Sequence, residues 1–158
     1  ASDTKLNVVK NIFMSNSAVY GGSVCYDETS YPQVLDDNLF ENSLASVYGG
    51  AIYAYLSPGV SGFNNNFYQC SAASYGGGIF LDESAVSFYR ANMTECSSEG
   101  NGGGLAAVSS SSVSLKEFYF RDCTSTTGGA VSIRSQSTLR IKTTVFDSNT
   151  ATDGGALS

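Results

Sequence analysis

The chain has 158 residues, 42% of them apolar and 14% charged, with a net charge of −6 and no histidine. That apolar content supports a packed core of one domain and excludes a disordered chain. The negative balance argues against a nucleic-acid partner, and no stretch approaches the 18 uncharged apolar residues of a membrane-crossing helix.

In chain order, the first segment is Leu6 and Val8, then Phe13-Met14-Ser15-Asn16, then Gly21-Gly22-Ser23-Val24. The same order returns five more times. The glycine half recurs as Gly49-Gly50-Ala51-Ile52, Gly76-Gly77-Gly78-Ile79, Gly102-Gly103-Gly104-Leu105, Gly128-Gly129-Ala130-Val131 and Gly154-Gly155-Ala156-Leu157, in steps of 28, 27, 26, 26 and 26 residues. Upstream of each lies a large apolar residue with Asn, Ser or Cys three positions later: Phe13 and Asn16, Phe40 and Ser43, Phe67 and Cys70, Met93 and Cys96, Phe120 and Cys123, Phe146 and Asn149. A third apolar site precedes the Phe: Leu6/Val8, Val34/Leu35, Val60, Val86/Phe88, Val113/Leu115 and Leu139/Ile141. Several of these alternate apolar and polar residues, the pattern of a strand with one wet face.

A fixed period of this length marks a solenoid or array, and it is too short for a four-stranded propeller blade. The predicted fold is all-β: a right-handed parallel β-helix (a solenoid) of about six coils of ~26 residues, with three short strands per coil, forming a single domain over residues 1–158. Stacked coils lie about 4.8 Å apart, so equivalent side chains form columns. The Phe column fills the bore. The Gly-Gly pair marks a corner needing positive φ or close backbone approach, and the tiny residue after it sits inside. The Asn/Ser/Cys positions read as a turn ladder bonded to each other or to backbone.

Cys70, Cys96 and Cys123 share one slot in successive coils, within disulfide reach, while Cys25 lies elsewhere. All four are disulfide candidates, and four cysteines allow three pairings. Without His or a Cys-x-x-Cys motif, a zinc site is not expected. The acidic cluster Asp27, Glu28, Asp36 and Asp37 flanks the longest inter-strand loop and is a weak candidate for Ca²⁺. The sequon Asn92-Met93-Thr94 places Asn92 beside a core position, pointing outward, as a candidate glycosylation site.

The paired motifs, Gly-Gly-Ala-Ile with Phe-Met-Ser-Asn and Phe-Asp-Ser-Asn, resemble the repeats of the chlamydial polymorphic outer membrane proteins and similar microbial repeat proteins. The resemblance covers all six coils. It implies a right-handed β-helix, secreted or on the cell surface, acting in adhesion or as a stalk. The chain departs from that pattern where Cys replaces Asn in three coils and where Met93 replaces Phe, and it contains no β-barrel translocator segment.

Joining residue 158 to residue 1 of a second copy gives a Gly-Gly step of 25 and a Phe step of 25, close to the internal period. The sequence therefore reads as six whole coils, uncapped at both ends, where an isolated solenoid needs polar caps. Head-to-tail self-association into a filament, or membership of a longer fibre, is expected, with Leu6, Val8, Ala156 and Leu157 at the joint. Glycans or a cell-surface receptor are further possible partners. Catalysis is not expected and no cofactor is implied: the carboxylates are scattered, and Arg90 and Arg121 have no evident acid–base partner. The alternative is a polysaccharide-binding or pectin-lyase-like carbohydrate-active β-helix; the second alternative is an ice-binding solenoid, although threonines form no regular ladder in the sequence.

Overall fold

The computed structural model describes residues 5–158, and these contain strands and turns but no helix. The strands pair only in parallel, each with the strand one repeat away, so the chain is a β-solenoid of stacked coils about 27 residues apart. Six rungs, separated by five turns, make up the stack.

Each coil carries one short segment more than the repeat pattern suggested. The first ladder joins Asn7–Val9, Gln33–Asp36, Val60–Phe63, Ala85–Tyr89, Ser112–Lys116 and Thr138–Lys142. The second joins Ile12–Met14, Leu39–Glu41, Asn66–Tyr68, Asn92–Thr94, Tyr119–Arg121 and Val145–Asp147. The additional ladder starts with Ser17–Tyr20 and Leu44–Tyr48, shrinks to Ser71–Ala72 and Ser97–Ser98, and persists as single bridges at Thr124 and Thr150. Its buried positions hold small residues, Ala45, Ala72 and Ser98, while Val19 and Leu44 face solvent, so it has no hydrophobic alternation for sequence reading to find. The last ladder joins Val24–Asp27, Ile52–Tyr55, Ile79–Asp82, Leu105–Val108 and Val131–Ile133, and a bridge carries it on to Leu157.

The corners follow from backbone sterics. The first glycine of every Gly-Gly pair has φ between 57° and 66°, the left-handed region open to glycine without penalty. The second glycine fails differently: a Cβ on Gly77 would lie 2.2 Å from the Gly103 carbonyl oxygen and 2.3 Å from that of Ser97. Other corners place non-glycine residues at positive φ, among them Asn64, Arg90 and Glu117 in one column.

The bore is filled by the Phe column. Phe13, Phe40 and Phe67 stack with centroids 4.9 and 4.8 Å apart, and Phe120 stacks on Phe146 at 5.3 Å. Met93 continues the column, fully buried, and its sulfur fits against Gly78. Phe13 and Phe146, on the outermost rungs, are only partly buried. The tiny residue after Gly-Gly is interior, with Ala51 and Ala130 wholly buried. The apolar column of the first ladder is displaced at one rung from its sequence reading. Gln33, not Val34, pairs with Val60 and is fully buried, while Val34 faces outward. Gln33 is tolerated there because its side-chain oxygen accepts the Leu6 N–H at 2.6 Å and its amide donates to the Tyr31 carbonyl at 2.7 Å. One rung on, Gly62 lies beneath Phe88, whose ring would stand 2.1 Å from any added Cβ. A small residue on one rung thus admits a large one on the next.

Candidate functional site at the solenoid ends

Inside the turns, side-chain hydrogen bonding of the asparagine and serine columns runs in one direction. Asn38 accepts the Asn11 N–H at 3.0 Å and donates to the Val8 carbonyl at 2.8 Å. Asn65 accepts the Asn38 N–H at 3.1 Å and donates to the Leu35 carbonyl at 2.7 Å. Asn149 does the same to Cys123 and Phe120, at 3.0 and 3.1 Å. Each amide therefore reaches back one rung toward the N-terminal end and closes two backbone groups there. A serine column repeats the polarity: Ser84, Ser111 and Ser137 accept from the N–H groups of Ser57, Ser84 and Ser111. The three buried cysteines lie in the column of Asn16 and Asn149, and their thiols donate weakly to the Phe40, Phe67 and Met93 carbonyls. The asparagine ladder escaped the motif reading, although Asn recurs two residues before the Phe at 11, 38 and 65.

The end rungs interrupt these columns. At the first rung Leu6 and Val9 are exposed, and Ile12 and Met14 are 69% and 57% exposed. A cavity of about 440 Å³ opens into the bore there, lined by Leu6, Val8, Asn11, Phe13, Val24 and Cys25 among others. At the sixth rung Ile141, Val145 and Leu157 are exposed and Ala156 is half-buried. Of the four expected joint residues, Leu6 and Val8 thus lie on the outermost N-terminal rung, and Ala156 and Leu157 on the outermost C-terminal one.

No family model, curated protein or solved structure matches the chain. Function must therefore be read from the geometry alone.

The other candidate residues are dispersed. Cys70, Cys96 and Cys123 are stacked, buried and free; Cys25 is free and exposed on the outer face of the last ladder. Burial, with help from Asp27, pushes the Cys25 thiol above its ordinary pKa. Cys96 is raised well above it by its bonds to Cys123 and Cys70 and by burial. Iodoacetamide should therefore modify Cys25 alone in the native protein, with a rate still climbing at pH values where an ordinary thiol has levelled off. The other three should react only on unfolding. Peptide mass spectrometry distinguishes these sites, and native labelling of Cys96 would contradict the buried column.

Among the described residues no three His, Cys, Asp or Glu side chains converge as a metal cage, so Asp27, Glu28, Asp36 and Asp37 do not form one. Asp36 instead accepts the Phe63 N–H at 2.9 Å, and Asp37 accepts from the Asn64 side chain at 2.8 Å. Arg90 pairs with Glu117 at 3.0 Å in solvent, and Arg121 with its neighbour Asp122 at 3.2 Å. Asn92 is exposed, its amide bonded to Asn66 at 2.7 Å. Outside the glycine corner, Tyr20, Tyr48 and Tyr75 stack at 5.9 and 5.4 Å and lean on Tyr53 and Phe80. Burial, chiefly, raises the Tyr53 phenol to about 12. These rings cover one another's faces, the surfaces a sugar ring would use. A shallow groove down the additional ladder, lined by Ala45, Ala72 and Ser98, has Glu99 as its one ionisable group. Among the described residues no helix is long and apolar enough to cross a membrane.

Proposed function

We propose that this chain is an extracellular structural and adhesive β-solenoid, lengthened by rung-on-rung contact, either with a second copy head to tail or with further coils of one fibre. The observation that carries the reading is the unbroken register of the columns, which repeats from rung to rung through the described stack. Phe13 and Phe146 belong to the same column, and among the described residues each is covered on one side only, where Phe40 is covered on both. Burying that surface is favourable by about 25 cal/mol per Å², and only another coil of matching columns covers bore and strand edges together. The exposed sequon at Asn92 fits a secreted or cell-surface setting, where it would carry a glycan. Dispersed carboxylates, mostly in solvent or bonded to turns, support a non-catalytic role. Glycan or receptor contact through the hydroxyl groups of outward-facing Tyr, Ser and Thr side chains is the adhesive part of the proposal.

Sedimentation velocity across a concentration series, with negative-stain images of the same samples, tests it. The expected result is rods that lengthen with concentration in steps of about 29 Å, six rungs at about 4.8 Å each. Replacing Leu6 and Leu157 together by Asp should return soluble monomers with unchanged circular dichroism. A wild-type protein that stays monomeric at millimolar concentration would overturn self-association.

A further inference from the structure

We propose that the thiol column inside the stack is a binding file for a soft monovalent cation of the Cu(I) class, two ions to a chain, with Cys96 shared between them. The column runs Asn16, Ser43, Cys70, Cys96, Cys123 and Asn149, each one residue before a ladder position. Oxygen-bearing side chains bound it on both sides, and the three successive inner rungs carry sulfur. Three of the chain's four cysteines fall in this single slot of the repeat, and all three are wholly buried and free. The Cys96 thiol is hydrogen-bonded to Cys70 on one side and to Cys123 on the other. The sulfurs also meet backbone: that of Ser43 bonds to Cys70, and that of Cys96 to Cys123. Asn149 takes the Cys123 N–H at 3.0 Å in the same way. Such N–H donors favour a sulfur that has become a thiolate.

The spacing selects the chemistry. Residues in register on parallel strands are related by a shift along the solenoid axis, so their Cβ atoms stand as far apart as the rungs, about 4.8 Å. A disulfide needs Cβ atoms roughly 3.5–4.5 Å apart, although the Cα spacing alone would admit one. Two metal–thiolate bonds of about 2.3 Å laid end to end span about 4.6 Å, close to the rung spacing. A linear two-coordinate ion between neighbouring thiolates therefore fits without moving either strand. Thiolate softness selects Cu(I) over harder ions. Structural Zn²⁺ and iron–sulfur clusters take four ligands, and among the described residues no three such side chains converge. Loading transfers no electrons. Three S–H bonds break, four Cu–S bonds form with Cys96 bridging, and three protons leave to solvent. Three thiolates and two monovalent ions leave one negative charge, which the Ser43 and Cys96 N–H groups face.

The test incubates the full chain without oxygen in Cu(I)–acetonitrile, just below its unfolding midpoint, where rungs open and reclose. Loose metal is then removed with a Cu(I) chelator and the protein is weighed by native mass spectrometry. Two retained ions per chain are expected, with a higher unfolding midpoint than the metal-free protein. Cys70→Ser and Cys123→Ser should each retain one ion, Cys96→Ser none and Cys25→Ser two. Serine already fills this slot, wholly buried, at Ser43, and circular dichroism checks each fold. If Cys96→Ser does not fold, the two flanking variants decide: two ions or none in both would overturn the file. So would a wild-type chain that retains no ion, or retention that depends on Cys25 alone. A disulfide between Cys96 and either neighbour in air-oxidised, natively folded protein would overturn the spacing argument.

Discussion

Phe67→Ala should destabilise the protein by roughly 3–5 kcal/mol, with a fall in Tm on the order of 10 °C. Phe67 is 1% exposed, stacks on Phe40 at 4.8 Å and tilts against Phe88 at 6.3 Å. Its rung lies in the middle of the stack, so no solvent can enter to relax the void. The neighbouring walls are ladder strands whose spacing is fixed by backbone bonds, and they cannot collapse inward. Phe13→Ala should cost much less, because Phe13 has a covering ring on one side only. Urea unfolding of both variants measures the difference. A loss below about 1 kcal/mol at Phe67 would mean that the column is not the core.

Gly77→Ala should be at least as damaging, at about 3 kcal/mol or more, although it adds one methyl group. The methyl would meet carbonyl oxygens of Gly103 and Ser97 at 2.2 and 2.3 Å, and both belong to backbone locked in ladders. No side chain can swing away to make room. Gly59→Ala is the matched control: its added Cβ would meet only the Pro32 ring, at 3.8 Å. That variant should stay within about 1 kcal/mol of wild type, with a slight gain from reduced unfolded-state freedom. Equal losses at the two positions, by the same urea measurement, would refute the close-approach account of the second glycine.

The repeat made the fold class, the Phe column and the glycine corners legible, because each depends on one residue type recurring at one spacing. The thiol column was legible for the same reason. Two things were hidden. The additional ladder is held by backbone bonds around small side chains such as Ala45 and Ala72, and leaves no apolar rhythm. The burial of Gln33 in an apolar column depends on two hydrogen bonds, which no periodicity encodes. The end residues Leu6, Val8, Ala156 and Leu157 were named from spacing; the one-way reach of Asn38, Asn65 and Asn149 needed the geometry.

Nearly every side-chain bond between coils links residues 26 to 30 positions apart. The separation is the same at the first turn and the last. Loop-closure entropy is therefore incurred once per coil and never grows with the molecule. Folding can begin at any well-packed rung and spread to its neighbours, as in a one-dimensional chain of coupled units. Length becomes quantised: removing one whole period keeps every column continuous, while removing half a period shears all of them. Gene duplication or loss in units of one coil is thus a change this architecture tolerates, and size can drift over generations while the cross-section stays fixed.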